Sequence, residues 1–358
     1  MPRVIVGMSG GVDSAVAALL LQQAGYEVIG VTLRTWASAD GQESRCCEID
    51  DARSAAMKLG IRYVPVNCLS AFDAHVVRPF VTDYLHGLTP NPCILCNRDV
   101  KWDKLLYLAK VLDAGFVATG HYASVVRLPN GRYTVRRALH AGKDQTYMLY
   151  ALTQEQLAAT LMPLGALSKD QVRDIARKAG LPVAEKPDSQ EICFVTDGDY
   201  AGFIEENAQE ILPGTGSFVD ENGTVLGSHQ GIFRYTVGQR RGLGLALGYP
   251  AYVREIRADR NEIAVGPEES LYSGHILCRD VRFMGIPNLN AGEQLRCTVK
   301  VRYHHPGQHA CIERCGPDQL SIVFDAPVRA AAPGQSAVFY DEAGCVIGGG
   351  VIAQALQA

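Results

Sequence analysis

The 358-residue sequence predicts a mixed α/β protein, and three features of it carry that expectation. Short β-branched runs alternate with Ala/Leu-rich amphipathic stretches through the N-terminal third, the pattern of a parallel sheet with helical crossovers. The first strand-like run enters its helix through adjacent glycines flanked by serines. Beyond about residue 210 the texture changes to short alternating runs punctuated by turn residues, which reads as all-β. The expected architecture is a Rossmann-like parallel-sheet domain over 1–205, a small central domain over 206–273 and a C-terminal all-β barrel over 274–358.

Val4–Gly7 reads as the first strand and Ala15–Leu21 as the body of the helix after it. Between them lies Met8-Ser9-Gly10-Gly11-Val12-Asp13-Ser14, a turn whose backbone N–H groups meet the positive end of a helix and suit a phosphate. Paired glycines cost backbone entropy unless something approaches closely. The turn has neither the G-x-x-x-x-G-K-[ST] nor the G-x-G-x-x-G spacing, and no lysine follows it.

Further strands are expected at Glu27–Leu33, Arg62–Asn67 and Phe116–Thr119. Helices are expected at Asp50–Leu59, closed by Gly60, from a Ser70 cap to about His86, and at Asp99 to about Leu112. The two prolines of Pro90-Asn91-Pro92 mark a loop before the last of these. Ser124–Arg136 reads as a hairpin about Pro129-Asn130-Gly131, Gly142–Tyr147 as a polar loop and Ser168–Ala179 as a capped helix. Further hairpin turns are expected at Glu221-Asn222-Gly223, Asp259-Arg260-Asn261 and Glu342-Ala343-Gly344. Ligands of an open parallel sheet bind beyond the carboxyl ends of its strands, where both the Ser9–Ser14 turn and Gly120-His121 fall.

With 47% hydrophobic and 20% charged residues the composition is that of a soluble globular protein. No apolar run approaches a membrane span and the first strand leaves no room for a leader, so a cytoplasmic protein is expected. The net charge of −4 requires any nucleic-acid surface to be a segregated basic face. Such a face is suggested by the arginines at 234, 240, 241, 254, 257 and 260 and by Lys300-Val301-Arg302-Tyr303-His304-His305.

The cysteine count of eleven is odd and scattered, which points to reduced thiols. Cys68, Cys278, Cys297 and Cys345 sit in strand-like apolar runs and read as small buried hydrophobes. Cys93 and Cys96 are expected as exposed thiols in a loop running into a helix N-terminus, where the dipole favours thiolate. Cys193 occupies a second loop, Lys186-Pro187-Asp188-Ser189-Gln190-Glu191-Ile192-Cys193-Phe194. Two metal readings stay open: zinc on Cys93, Cys96, Cys311 and Cys315, and a 4Fe-4S cluster on Cys93, Cys96 and Cys193.

Ser9-Gly10-Gly11-Val12-Asp13-Ser14 resembles the PP-loop of the ATP pyrophosphatases. With NPCILCNR, ATGHY, KDQTYML, DSQEICF, VGQR and PGQSAVFY following in order, the chain resembles the tRNA-specific 2-thiouridylases over essentially its whole length. The resemblance implies ATP-dependent exchange of the wobble-uridine C2 oxygen for sulfur in the tRNAs for Lys, Glu and Gln. It implies ATP contacts at Gly7, Met8, Ser9, Gly10, Gly11, Val12, Asp13, Ser14, Leu33 and Gly120, with Asp13 helping to place Mg²⁺. It implies a persulfide on Cys193, with Cys96 as its partner, and tRNA contacts at Asn91, Pro92, Cys93, His121, Lys143, Asp144, Gln145, Arg302, Tyr303 and Gln335. It further implies a sulfur donor, such as a cysteine desulfurase or a relay protein, and a monomer. The competing readings are a PP-loop enzyme that amidates an adenylated carbonyl and an RNA-binding protein with a relic nucleotide site.

Overall fold

The computed structural model describes residues 1–37, 48–187, 192–195 and 198–356. Contacts divide the chain into two compact units, one of Met1–Val76, Cys93–Gly198 and Ala343–Val346, the other of Val77–Pro92, Asp199–Glu342 and Ile347–Ala358.

The first unit is built on β1 (Arg3–Gly7), α1 (Val12–Gln23), β2 (Glu27–Arg34), α2 (Ile49–Leu59), β3 (Arg62–Asn67), α3 (Leu69–Phe72) and, further along the chain, β4 (Phe116–Thr119). β1 pairs in parallel with β2 and β4, and β2 with β3. As the central strand β1 buries Val4, Ile5 and Val6 completely, which is why it reads as a continuous apolar run rather than an alternating one. The small side chains of α1, Ala15, Val16, Ala17 and Ala18, let that helix lie close against the sheet. Gly60 closes α2 in the left-handed conformation at φ 66°, as its position predicts.

Two helix starts differ from expectation. The segment expected to be capped by Ser70 begins with α3 at Leu69, whose N–H is accepted by Asn67 Oδ1 at 3.0 Å. A π-turn at Asp73–Val77 and α4 (Arg78–Leu85) follow it. The helix expected from Asp99 starts earlier, as α5 (Pro92–Leu95), a π-turn at Cys96–Lys101 and α6 (Trp102–Val111). Proline is a helix breaker only in an interior; in the first turn its missing N–H has no intrahelical partner to lose.

The hairpin of β5 (Ala123–Arg127) and β6 (Tyr133–Arg137) forms where expected. After α7 (Gln154–Ala158), the two-residue β7 (Thr160–Leu161) adds an edge to the sheet, giving the order β3-β2-β1-β4-β7. α8 (Lys169–Lys178) carries a complete capping box: Ser168 Oγ accepts from Gln171 N at 3.1 Å and Gln171 Oε1 accepts from Ser168 N at 2.8 Å.

In the second unit α9 (Tyr200–Asn207) is capped by Asp199. A four-stranded sheet of order β10-β11-β8-β9 is made by β8 (Gly216–Val219), β9 (Val225–His229), β10 (Tyr252–Arg257) and β11 (Glu262–Gly266). Its turns fall at the expected places: Asp220 Oδ1 accepts from Asn222 N and Thr224 N, and Asn261 is left-handed at φ 50°. The expected barrel is present and closed, in the order β12-β15-β14-β13-β16-β17. Its strands are β12 (Tyr272–Phe283), β13 (Gln294–Lys300), β14 (Gln308–Gly316), β15 (Gln319–Arg329), β16 (Ser336–Tyr340) and β17 (Val346–Leu356), around Ile276, Val299, Ile312, Ile322 and Phe339. No described helix is long and apolar enough to cross a membrane.

Ser168→Ala removes the acceptor for Gln171 N–H at the start of α8. The expected cost is about 1 kcal/mol, which lowers the melting midpoint by about 2–4 °C in calorimetry, with Ser168→Thr largely neutral.

Candidate active site

The turn after β1 is shaped by contacts that exclude side chains. Gly10 has φ 80°, and a Cβ there would lie 2.6 Å from the Glu48 carbonyl oxygen. Gly11 is the N-cap of α1 in an extended conformation, with no side chain capping the helix. Ser14 Oγ instead donates to Gly11 O at 3.1 Å and accepts from Ser9 N at 3.1 Å, closing the turn on itself. Below it, Met8 N donates to Val31 O, and Met8 O accepts from Thr32 Oγ1, which in turn accepts from Tyr63 OH. An α-helix of 12 residues thus presents the N–H groups of its first turn beyond the carboxyl edge of a parallel sheet, the arrangement that binds anions. Leu33, 8% exposed, lies near the carboxyl end of β2.

Asp13, in the first turn of α1, is held from two sides. Lys169 Nζ lies 2.8 Å from each carboxylate oxygen, and Tyr122 OH donates to Oδ1 at 2.7 Å. Lys169 is the first residue of α8, so the Ser168 capping box fixes where it emerges. This lysine, 156 positions from Asp13, supplies the cation that the turn itself lacks; no local pattern in the sequence signals it. With its carboxylate committed to Lys169 and Tyr122, Asp13 does not fit a resident Mg²⁺, which takes oxygen ligands that no ammonium already holds. A second cation, Lys186, pairs with Glu48 and Asp51.

Gly120 is where the fourth strand meets this turn. A Cβ at Gly120 would stand 2.7 Å from both Asp13 C and Ser14 N, so only glycine allows the approach. His121 follows, half-buried, with Nδ1 2.7 Å from Thr119 Oγ1 and its ring 5.7 Å from that of Trp102. Burial is the main cause, and nearby Lys101 a lesser one, that pushes its pKa down to about 3. The imidazole is neutral. Asp144 is buried and accepts from Ala138 N, Thr146 N and Thr146 Oγ1; Gln145 Oε1 accepts from Tyr122 N at 2.9 Å. Lys143 is half-buried beside them.

The thiols differ from expectation in exposure. Cys93 lies in the first helical turn and is half-buried, but Cys96, at the start of the π-turn, is only 6% exposed. The helix begins at Pro92, and that start turns Cys96 inward instead of leaving it in a loop. Cys193 is half-buried, next to Phe194, whose ring packs on Phe72 and Trp36. Asp188–Glu191 of the same motif, and Cys46 and Cys47, lie outside the described residues. Cys68, Cys278, Cys297 and Cys345 are buried as expected. Burial raises the thiol pKa of Cys68 and Cys278 and pushes that of Cys297 up to about 12, so these stay protonated. Among the described residues no three His, Cys, Asp or Glu side chains come together as a metal-binding set, Cys93, Cys96 and Cys193 included.

The remaining candidates belong to the second unit. Asn91 is half-buried and Pro92 buried; Gln335 Nε2 donates to Thr89 O at 2.8 Å, Arg302 Nη2 to Val237 O at 2.8 Å, and Tyr303 stacks edge-on against His304. Arg240 and Arg241 are exposed, whereas Arg234 and Arg257 pair with Glu205 and Glu255.

Family models match three successive stretches: the tRNA methyl transferase HUP domain at residues 2–197, the tRNA methyl transferase PRC-barrel domain at 202–267 and the aminomethyltransferase beta-barrel domain at 273–352. The chain is 49% identical over 360 residues to the tRNA-specific 2-thiouridylase MnmA of Lachnoclostridium phytofermentans, covering 98% of this chain and 99% of that one. It is 48% identical over 359 residues to that of Acetivibrio thermocellus, with coverage of 98% and 99%.

Gly120→Ala forces the backbone of Asp13 and Ser14 away from β4. Affinity for a nucleoside triphosphate, read by calorimetric titration, is expected to fall by tenfold or more while the circular dichroism stays native. Acidification tests His121 separately. Its folded pKa is depressed, so the unfolded chain binds more protons between the ordinary histidine value and about 3, and stability falls as pH drops through that window. His121→Asn is expected to flatten part of the fall in melting midpoint between neutral pH and pH 4.

Proposed function

The chain belongs to the family of tRNA-specific 2-thiouridylases, and from that premise we propose that it adenylates the C2 oxygen of the wobble uridine with ATP and replaces it by sulfur. The observation that carries the reading is the first turn of α1, where unblocked N–H groups sit beside a lysine anchored through Asp13. A urea-like carbonyl oxygen is a poor leaving group, and adenylation turns it into departing AMP. Gly7, Met8, Ser9, Gly10, Gly11, Val12, Asp13 and Ser14 hold the phosphates, with Leu33 and Gly120 against the adenosine. Lys169 neutralises charge that builds on the pyrophosphate as the α–β bond breaks, while Asp13 fixes its starting position.

Sulfur arrives as a persulfide on Cys193, supplied by a cysteine desulfurase or a relay protein. Its terminal sulfur attacks C2, and AMP leaves with the C–O electron pair. The Cys96 thiolate then takes the Cys193 sulfur, forming a Cys96–Cys193 disulfide that an external thiol reduces. Burial of Cys96 keeps that thiol from other oxidants until the segment bearing Cys193 meets it. No step is assigned to an iron–sulfur cluster or to Mg²⁺.

The tRNAs for Lys, Glu and Gln present a single-stranded wobble base that is read in the splayed state. Asn91, Pro92 and Cys93 lie against that base, and His121, Lys143, Asp144, Gln145, Arg302, Tyr303 and Gln335 contact the tRNA. The three domains run over 1–205, 206–273 and 274–358, and the enzyme works as a cytoplasmic monomer.

Incubation with ATP, a sulfur source and unmodified tRNA, followed by nucleoside analysis, is expected to yield 2-thiouridine. Its absence overturns the function. Cys96→Ala and Cys193→Ala abolish the product, Cys93→Ala retains it, and Lys169→Met lowers the rate of tRNA-dependent pyrophosphate release by about 10²-fold. Loss of product in Cys93→Ala alone favours a three-thiolate cluster instead. Affinity for tRNA falls steeply between low and moderate salt as phosphate contacts release counterions.

A further inference from the structure

Attack of the uridine C2 oxygen on the α-phosphorus leaves a proton to be placed. The O2–Pα bond forms, the bond from Pα to the bridging oxygen breaks, and pyrophosphate leaves with that electron pair. The neutral product has an N3=C2 double bond, made from the electrons of the N3–H bond. A base must therefore take the N3 proton.

The charged groups around the turn are already committed. Asp13 is held by Lys169 and Tyr122, buried Asp144 accepts three hydrogen bonds, and Asp99 is paired with Arg98 at 2.7 Å. His121 lies between two residues that touch Asp13, Gly120 through its backbone and Tyr122 through its hydroxyl. Its ring stacks on Trp102, the residue that follows the π-turn opened by Cys96. The imidazole therefore stands where the phosphate turn and the cysteine-bearing helix converge.

We propose that His121 is the catalytic base that removes the N3 proton of the wobble uridine during adenylation and the acid that returns it as sulfur adds to C2. The proposal rests on the thiolation reading above. Nδ1 lies 2.7 Å from Thr119 Oγ1, and the tautomer the proposal requires is the one in which Nδ1–H donates to that oxygen and leaves the lone pair of Nε2 as the acceptor. Lys101 and burial keep the ring uncharged before the reaction, and the triphosphate anion on the adjacent turn stabilises the imidazolium once it forms. When the persulfide sulfur adds to C2, the pair of the N3=C2 bond moves to N3, which takes the proton back from Nε2. AMP then departs with the C2–O electron pair, and when the Cys96 thiolate takes the Cys193 sulfur the S–S electron pair passes to the outer sulfur and completes the thiocarbonyl.

The test compares substrates that differ only in the acidity of N3–H. Single-turnover pyrophosphate release is measured for wild type, His121→Gln and Thr119→Val, on tRNA carrying uridine or 5-fluorouridine at the wobble position. The fluorine acidifies N3–H and reduces the need for a base. With uridine, H121Q is expected to be slower by about 10²-fold and T119V by a smaller factor. With 5-fluorouridine both deficits shrink several-fold, while the KM for ATP is unchanged. Equal deficits on the two substrates, or no deficit, overturn the proposal, and T119V decides the matter should H121Q fail to fold. Wild-type enzyme that thiolates uridine while H121Q keeps pace overturns this proposal alone; wild-type enzyme that forms no 2-thiouridine overturns the parent function with it.

Discussion

The carboxylate of Asp13 is the constraint on which the rest of the site depends. It accepts two bonds from Lys169 and one from Tyr122, drawing together the first turn of α1, the first residue of α8 and the chain just beyond β4. A partly buried charge is tolerated only with partners, and charge-assisted bonds at 2.7–2.8 Å fix direction as well as distance. Three elements far apart in sequence are thereby set around one helix N-terminus. Removing Asp13 or Lys169 leaves the other without this counter-charge. The glycine at 120 follows from the same constraint, because the tyrosine two residues later reaches Asp13 only if the intervening backbone passes against α1.

Chemically identical thiols have divergent prospects because of where the fold places them. Cys278 and Cys297 are packed inside the barrel, where the cost of a buried thiolate keeps them protonated. Cys93 sits in a helical first turn and Cys193 beside an aromatic cluster, both partly open. The barrel closes by pairing β12 with β17, so it leaves no free sheet edge, and Cys278 and Cys297 lie on its inner face.

Much of the fold was legible because strands and turns have local signatures. β3 and β4 have the limits expected from the sequence, the turn glycines and Asn261 fell where left-handed backbone was needed, and the cap of α8 was readable from Ser168. The early start of α5 was not, because Pro92 looks the same in a loop as in a first helical turn. β7 has two residues, too few to show any period. Within the site, the glycine-rich turn declared itself through composition, whereas Lys169 is one lysine on an ordinary amphipathic helix, and its meaning exists only across 156 residues of separation. The burial of Cys96 was likewise hidden, since it depends on the phase of a helix whose start was misplaced.

The π-turn at Cys96–Lys101 has a consequence for how such a site can change. One residue more per turn offsets the helix by about 100° of rotation, so the phase of the cysteine-bearing turn is set apart from that of α6. Trp102, Leu105 and Ala109 keep α6 seated on the sheet whatever happens ahead of the offset. Residues before it can therefore be exchanged without unseating the anchor, which separates the chemistry of that turn from the mount that carries it.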